Sequence, residues 1–427
     1  MTTLSEFDAL RHRLALTGSR RPLLGGLAAL PLMGAGALLL PEEDAAAKAK
    51  RKRNGAQAEK KKKKKLTLCL NGQTISAPKK KAKKLRKQGA TAGQCATSTT
   101  STTAAPCIPD SWNFVDDYGT LGSGLNQFFT PQGCALSSDG RTLWVADAQN
   151  GRIAVWTRPN ASSTLWTNPV TFGTSGTGTT QLNNPVDVAV APDEKTVWVA
   201  DALNSRISIW TRESKSSTTW THSANFGVAG NGQGEFSVPS GVSVAPDTLT
   251  VWTADLGHNR VLVWTRPDLN TPFAAVKEFG ATGPNALNQP TGIVTSADTR
   301  TAWVVDPGNS RVSIWTRPDA SGQNWINAGE FGGPGALPNQ FNTPRYLAMD
   351  GGELTLWISD QSNDRVAVWT RATTSSTTWT FLATFGSSGA GNGQFAFPCG
   401  VAVSSDGATL LGIDASNNRF SMWAVDC

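Results

Sequence analysis

The chain is poor in the side chains that most hydrolases and metal sites draw on. It has 3 His, 2 Tyr and 4 Met among 427 residues. So few His make a His-rich metal centre or a His-dependent hydrolase hard to assemble. Long apolar runs are also scarce, and with a hydrophobic content of 39% and abundant Gly, Ser and Thr nothing suggests a multi-span membrane protein. What is plentiful is Trp, with 16 copies. The formal net charge of +7 is unevenly spread: residues 1–106 carry +16 and residues 107–427 carry −9. Every Trp lies in the second part, so that part holds any sizeable core. The length suits two or three domains.

Residues 1–47 read as an export segment. Ser19-Arg20-Arg21-Pro22-Leu23-Leu24 leads into an uncharged run from Leu23 to Leu40, and Ala45-Ala46-Ala47 offers a cleavage point. The paired Arg and the weakly apolar run resemble a twin-arginine signal. The alternative is a retained anchor helix, which Pro31 and the Gly residues weaken. Either way the bulk of the chain is expected outside the cytoplasm, secreted or at the cell surface.

Residues 48–65 are dominated by Lys and Arg, with six consecutive Lys from Lys60 to Lys65. Such a run repels itself and does not fold alone. It is either a solvated spacer or an electrostatic tether to acidic surface polymers or lipid headgroups. Residues 66–95 form a small module in which Leu66 to Leu70 alternates like a strand and Asn71-Gly72 signals a hairpin turn. A Cys69–Cys95 bridge is expected to close it. Residues 96–106 are a Ser/Thr-rich linker.

Residues 107–427 are a repeat. Asp147, Asp201, Asp255, Asp306, Asp360 and Asp414 recur at spacings of 54, 54, 51, 54 and 54. Each is followed by Arg (Arg152 and its equivalents) and then by Trp (Trp156 and its equivalents), and each unit opens on Pro. The second unit parses into four strands: Val186–Val190, Thr196–Ala200, Arg206–Thr211 and Trp220–Phe226. Four strands per unit at this period predict an all-β, six-bladed propeller.

The last unit stops after its third strand, at Trp423, and the missing fourth lies at the front, Trp112 to Tyr118. The N-terminal strand should complete blade 6 and remove an open edge. Cys107 and Cys427 flank the cut, so a Cys107–Cys427 clasp is expected. Cys134 and Cys399 lie on the first strands of blades 1 and 6, and a second bridge is expected there, subject to geometry.

The repeat resembles the NHL repeat in such runs as Val199-Ala200-Asp201-Ala202-Leu203-Asn204-Ser205-Arg206 and Phe385-Gly386 to Gln394-Phe395. The resemblance covers about residues 112–427 and implies a six-bladed propeller. Six copies of the Asp, Asn and Arg pattern argue for scaffold, with Asp and Asn bonding the local turn. Blade 3 departs, with His258 in place of Asn. The Trp residues are expected between blades, and the Trp-Thr-Arg endings at Arg158, Arg212, Arg266, Arg317 and Arg371 as solvated hairpin residues near the opposite face.

A site is to be sought where the repeat breaks. The second residue after each Pro is Gly except at Asp187 and Tyr346, and Arg345 is the only charge at the preceding position. Asp187, Arg345 and Tyr346 are therefore expected at the mouth of the central channel. They either contact a small polar ligand or plug the channel with a polar network.

The leading expectation is a monomeric, non-enzymatic exported propeller that binds protein or glycan and needs no cofactor or metal. The alternative is a propeller hydrolase or lyase like gluconolactonases, streptogramin lyases or peptide-amidating lyases. Such chemistry needs carboxylates or His converging on the channel, whereas His222 and His258 stand apart in the sequence. Nucleic-acid binding is disfavoured by the −9 of the propeller.

Overall fold

The computed structural model describes residues 65–70, 73–78, 83–84, 91–92 and 112–425 except 321 and 323. Two compact units divide the chain, Met1–Cys95 and Ala96–Cys427. The first contains an antiparallel pair, Lys65–Leu70 with Gln73–Pro78, in which Leu70 stands opposite Gln73. Thr91–Ala92 joins the free side of Lys65–Leu70. The export segment, the basic run before Lys65, and the side chains of the expected Cys69–Cys95 and Cys107–Cys427 pairs lie outside the described residues.

The second unit is a six-bladed β-propeller. Blade 2 consists of Pro185–Val190, Thr196–Asp201, Arg206–Thr211 and Thr221–Phe226, antiparallel in chain order. The other blades repeat it. Each opens on Pro, which has no N–H to donate and is tolerated at a strand's first residue. Blade 4 is the exception: its first strand begins at Ile293, and the Gly292 N–H just before it donates to the Arg345 carbonyl of blade 5.

Both faces of each sheet are buried, because every blade is sandwiched between two others. In blade 2, Ile207 and Ile209 join a cluster with Trp264 of blade 3, whereas Trp210 joins one with Trp144 of blade 1. Six such clusters lie between consecutive blades, including one between blades 6 and 1. An open row of six blades would have only five, so the ring is closed.

Closure runs as the repeat implies. Asn113–Tyr118 pairs antiparallel with Arg419–Ala424, placing Tyr118 opposite Phe420. The register shifts between Met422 and Trp423, as it does between Ile209 and Trp210 in blade 2. The strand from the other end of the sequence therefore reproduces the geometry of a native fourth strand. Asp117 accepts from Arg419 at 2.6 Å and from the Ser421 hydroxyl at 2.6 Å.

Candidate functional site

The first strands converge on the axis, and glycine permits their approach. A Cβ on Gly241 would stand 2.1 Å from the Thr291 carbonyl oxygen, and one on Gly400 would stand 2.5 Å from that of Gln132. No side chain fits at such distances. Blades 2 and 5 break this rule with Asp187 and Tyr346, and those two side chains fill the centre.

Tyr346 reaches across the ring. Its hydroxyl lies 2.7 Å from the Val186 carbonyl of the opposite blade and 3.0 Å from the Ser240 carbonyl of blade 3, so its proton is shared between two acceptors. Burial, with Asp187 nearby, pushes its pKa well above the ordinary phenol value. Asp187 is wedged between blades 1 and 3. Its Oδ2 accepts the Val242 N–H at 2.9 Å, and a Cβ on Gly133 would touch its Oδ1 at 2.3 Å. Burial raises its pKa to about 8, against the pull of the Val242 and Val188 N–H groups. The carboxyl is therefore mostly protonated at neutral pH. Tyr346 and Asp187 are 5% and 6% exposed, and together they plug the axis. Arg345 differs: it is half-buried, and its Nε has no hydrogen-bond partner. Beyond the plug a cavity of about 260 Å³ continues among Val188, Val242, Ile293, Leu347 and Val401 toward the strand ends.

The expected Cys134–Cys399 bridge is absent, and both thiols are free. Cys134 is the third residue after its Pro, whereas Cys399 is the first after its own, so neighbouring strands hold them out of register. It is Gly400 whose Cβ would approach the Cys134 N, at 3.1 Å. Cys399 instead accepts from Gln361 Nε2 at 3.1 Å and packs with Tyr346 and Ala415.

The repeated Asp, Asn and Arg side chains form a staple: Asp and Asn bond each other across the local turn, but the backbone N–H that Asp takes belongs to the loop before the blade. Asp201 Oδ1 accepts the Asn183 N–H, from the loop before the blade, at 2.6 Å. Its Oδ2 takes Asn204 and Arg206, both at 2.8 Å, and Arg206 also donates to the Gly178 and Gln181 carbonyls of that loop. In blade 3, His258 replaces Asn and bonds Asp255 at 2.7 Å. His222 bonds Asn225 at 3.0 Å. Among the described residues, no three His, Cys, Asp or Glu side chains are grouped to hold a metal ion.

The five arginines of the Trp-Thr-Arg endings are not solvated hairpin residues. Arg158, Arg317 and Arg371 are buried, and Arg212 and Arg266 are half-buried. Arg371 stacks over Trp303 of blade 4 at 4.8 Å and over Trp379 of blade 5 at 5.2 Å. Those two rings meet edge to face at 86°. Arg212 and Arg317 repeat the arrangement, while Arg158 and Arg266 stack over Trp166 and Phe273. Each Arg also donates to the carbonyl of a left-handed turn residue, or of glycine, between its first two strands. The Trp count was the available signal: fourth-strand indoles need partners, and the Arg that closes the third strand lies nearby.

No family model matches the chain. Over 143 residues it is 29% identical to the mouse peptidyl-glycine alpha-amidating monooxygenase, a match that takes in 33% of this chain and 14% of that protein. The chain thus spans a small fraction of that relative. Among solved structures, the periplasmic gluconolactonase of Pseudomonas aeruginosa aligns with a TM-score of 0.48 at 15% identity, covering 69% of this chain and 81% of that one. The Cps50 (Swd1) β-propeller domain of Myceliophteria thermophila aligns with a TM-score of 0.46 at 11% identity, covering 71% and 85%. At such identities the likeness concerns architecture alone, which in this chain is the six-bladed β-propeller.

Proposed function

We propose that the chain is an exported, non-enzymatic scaffold that binds a protein or glycan at the cell surface through a face of its NHL-like propeller. The basic run of residues 48–65 holds it to acidic polymers or lipid headgroups. The observation that carries this reading is the plug. With Tyr346 spanning the axis and Asp187 committed to a neighbouring blade, recognition falls to the faces and their loops. Arg345, the third of the expected trio, is half-buried and turned toward the buried Cys399 thiol, so it too belongs to the closed axis. Pull-down from cell-wall extract with the full chain, and with a variant lacking residues 48–65, tests both halves. Partner capture by both proteins, with surface retention only by the first, supports the reading. Equal retention removes the tether, and capture of nothing removes the scaffold.

The likeness to the amidating enzyme favours a second reading, a propeller lyase or hydrolase. Metal analysis of purified protein separates the two. A stoichiometric metal, together with turnover of a glycine-extended peptide or a lactone, would replace the binding reading.

A further inference from the structure

The strongest break in the rim lies before blade 4. Ten positions separate Phe172 from Leu182 in the loop before blade 2, but eight separate Phe279 from Leu287 before blade 4. The other blades have loops of the longer kind, and each carries Gln or Glu just before its buried Phe or Leu: Gln127, Gln181, Glu235, Gln340 and Gln394. Blade 4 has Ala286 there.

Those five side chains do one job. The terminal oxygen of each accepts a backbone N–H of its own loop, at 2.8 to 3.1 Å. Each also covers a left-handed glycine so closely that a Cβ there would lie 2.1 to 2.3 Å from the oxygen. At the matching Gly283 of blade 4, nothing lies within 4 Å. The missing loop residues matter as well. In blade 2, Asn225 of the fourth strand donates to the Thr179 carbonyl of the long loop at 3.0 Å, and in blade 3 Gln233 of the loop donates to the Ala275 carbonyl at 2.8 Å. Among the described residues, no such bond joins the shortened loop of blade 4 to its fourth strand. Its rim opens instead into a notch of about 410 Å³ walled by Pro284, Ala286, Asn309, Arg311, Glu330 and Pro334. Arg311 pairs with Glu330 at its side and donates to the Ala286 carbonyl at 3.0 Å.

We propose that this notch receives a short segment of a partner protein, a loop tip or chain end of small residues bearing one side-chain carboxamide. Such a segment supplies from outside what the sister loops supply from within. The inference rests on the face-binding reading and gives it a place and a ligand chemistry. A bound segment lies against the Pro284 and Pro334 rings, and its backbone meets the half-exposed Glu330 carboxylate. Its carboxamide lies beside Ala286, the lining residue that stands where the sister loops carry theirs. The contact is small and polar, so a single short peptide binds weakly and a folded partner adds surface around it.

The probe is a capped heptapeptide with the sequence of residues 176–182, titrated into the full-length chain by fluorescence polarisation. The expected result is saturable binding at a Kd below about 1 mM, weakened about tenfold or more when the peptide's Gln is replaced by Ala. Ala286→Gln, which restores the sister side chain, should weaken binding by a similar factor at an unchanged melting temperature. Should that variant misfold, replacing residues 283–286 with the sequence of 176–181 fills the same space. Equal affinity for wild type and filled variants, or no saturable binding, overturns the notch. Repeating the cell-wall pull-down with Ala286→Gln keeps the two readings apart: a partner that stays bound sinks the notch alone, and a wild type that captures nothing sinks the scaffold.

Discussion

The axis and the outer belt of this propeller obey opposite rules. In the belt the same contact recurs: a second-strand Trp, a fourth-strand aromatic of the next blade, and an Arg stacked on one or both. At the axis the repeat fails in two blades, and the failures close the channel. A contact made several times over serves the ring and tolerates local exceptions. Leu411 stands in for the second-strand Trp of blade 6, fully buried, and Phe273 stands in for the fourth-strand Trp of blade 3. A contact made once has no sister to replace it. Its loss should change a particular property of the molecule, such as the way stability depends on pH.

The largest effect is expected in the belt. Trp303 is fully buried, beneath Arg371 and edge-on to Trp379. Trp303→Ala should cost about 3–5 kcal/mol in chemical denaturation, from lost burial and the cavity left behind. Trp303→Leu copies the natural exception in blade 6 and should cost clearly less. Equal costs would mean that ring stacking, rather than filled volume, holds the belt.

The next effect belongs to the axis and depends on pH. Asp187 titrates near 8 when folded, against an ordinary value of 3.8. Between those values the unfolded chain releases a proton that the folded chain keeps. Stability therefore falls as pH rises through this window and levels off above it. The facing groups do not interfere, because burial raises both the Cys134 thiol and the Tyr346 hydroxyl and keeps them neutral there. Asp187→Asn removes the dependence. The difference in stability between the two proteins should grow from pH 4 to 8 in favour of the Asn variant. A flat difference would show that Asp187 is not held neutral by the plug.

Blade count, strand bounds and ring closure were legible because they rest on covalent spacing and on residue types that repeat. The strand bounds read from blade 2 differ from the folded ones by one residue. The axial residues were legible as exceptions to glycine, but not the direction in which Tyr346 points, since only the closed ring brings it to Val186. The Cys134–Cys399 expectation failed on a fact already in the alignment, the different distance of each Cys from its Pro. The fourth-strand indoles signalled a need for partners, but the burial of the arginines beside them was not legible. A hairpin Arg looks the same in sequence whether it faces water or an indole from the preceding blade. The notch was announced by the single 51-residue spacing, part of which is the shortened loop before blade 4.

Arg371→Lys tests the belt more gently. The Nε and Nη1 groups of Arg371 donate to the Glu353 and Ser376 carbonyls at 2.7 and 3.2 Å while the plane stacks on two indoles. Lys keeps the charge but loses the fork, so a loss of about 1–2 kcal/mol is expected by thermal denaturation.

The smallest effect separates the two causes of the notch. Gln181→Ala removes the carboxamide from a long loop but leaves Thr179 and its bond from Asn225 in place. Two hydrogen bonds are lost, one from the Gly178 N–H and a longer one to the Ser175 carbonyl, and the cost should be about 1 kcal/mol. Because Thr179 still covers the fourth strand, no second site for the heptapeptide should appear, and the polarisation titration should keep a single equivalent. A second equivalent would mean that the missing carboxamide alone makes a socket, and that any blade could be turned into one by a single substitution. A single equivalent places the origin of the site in the shortened chain, the one feature of blade 4 that no side-chain change in a sister blade can imitate.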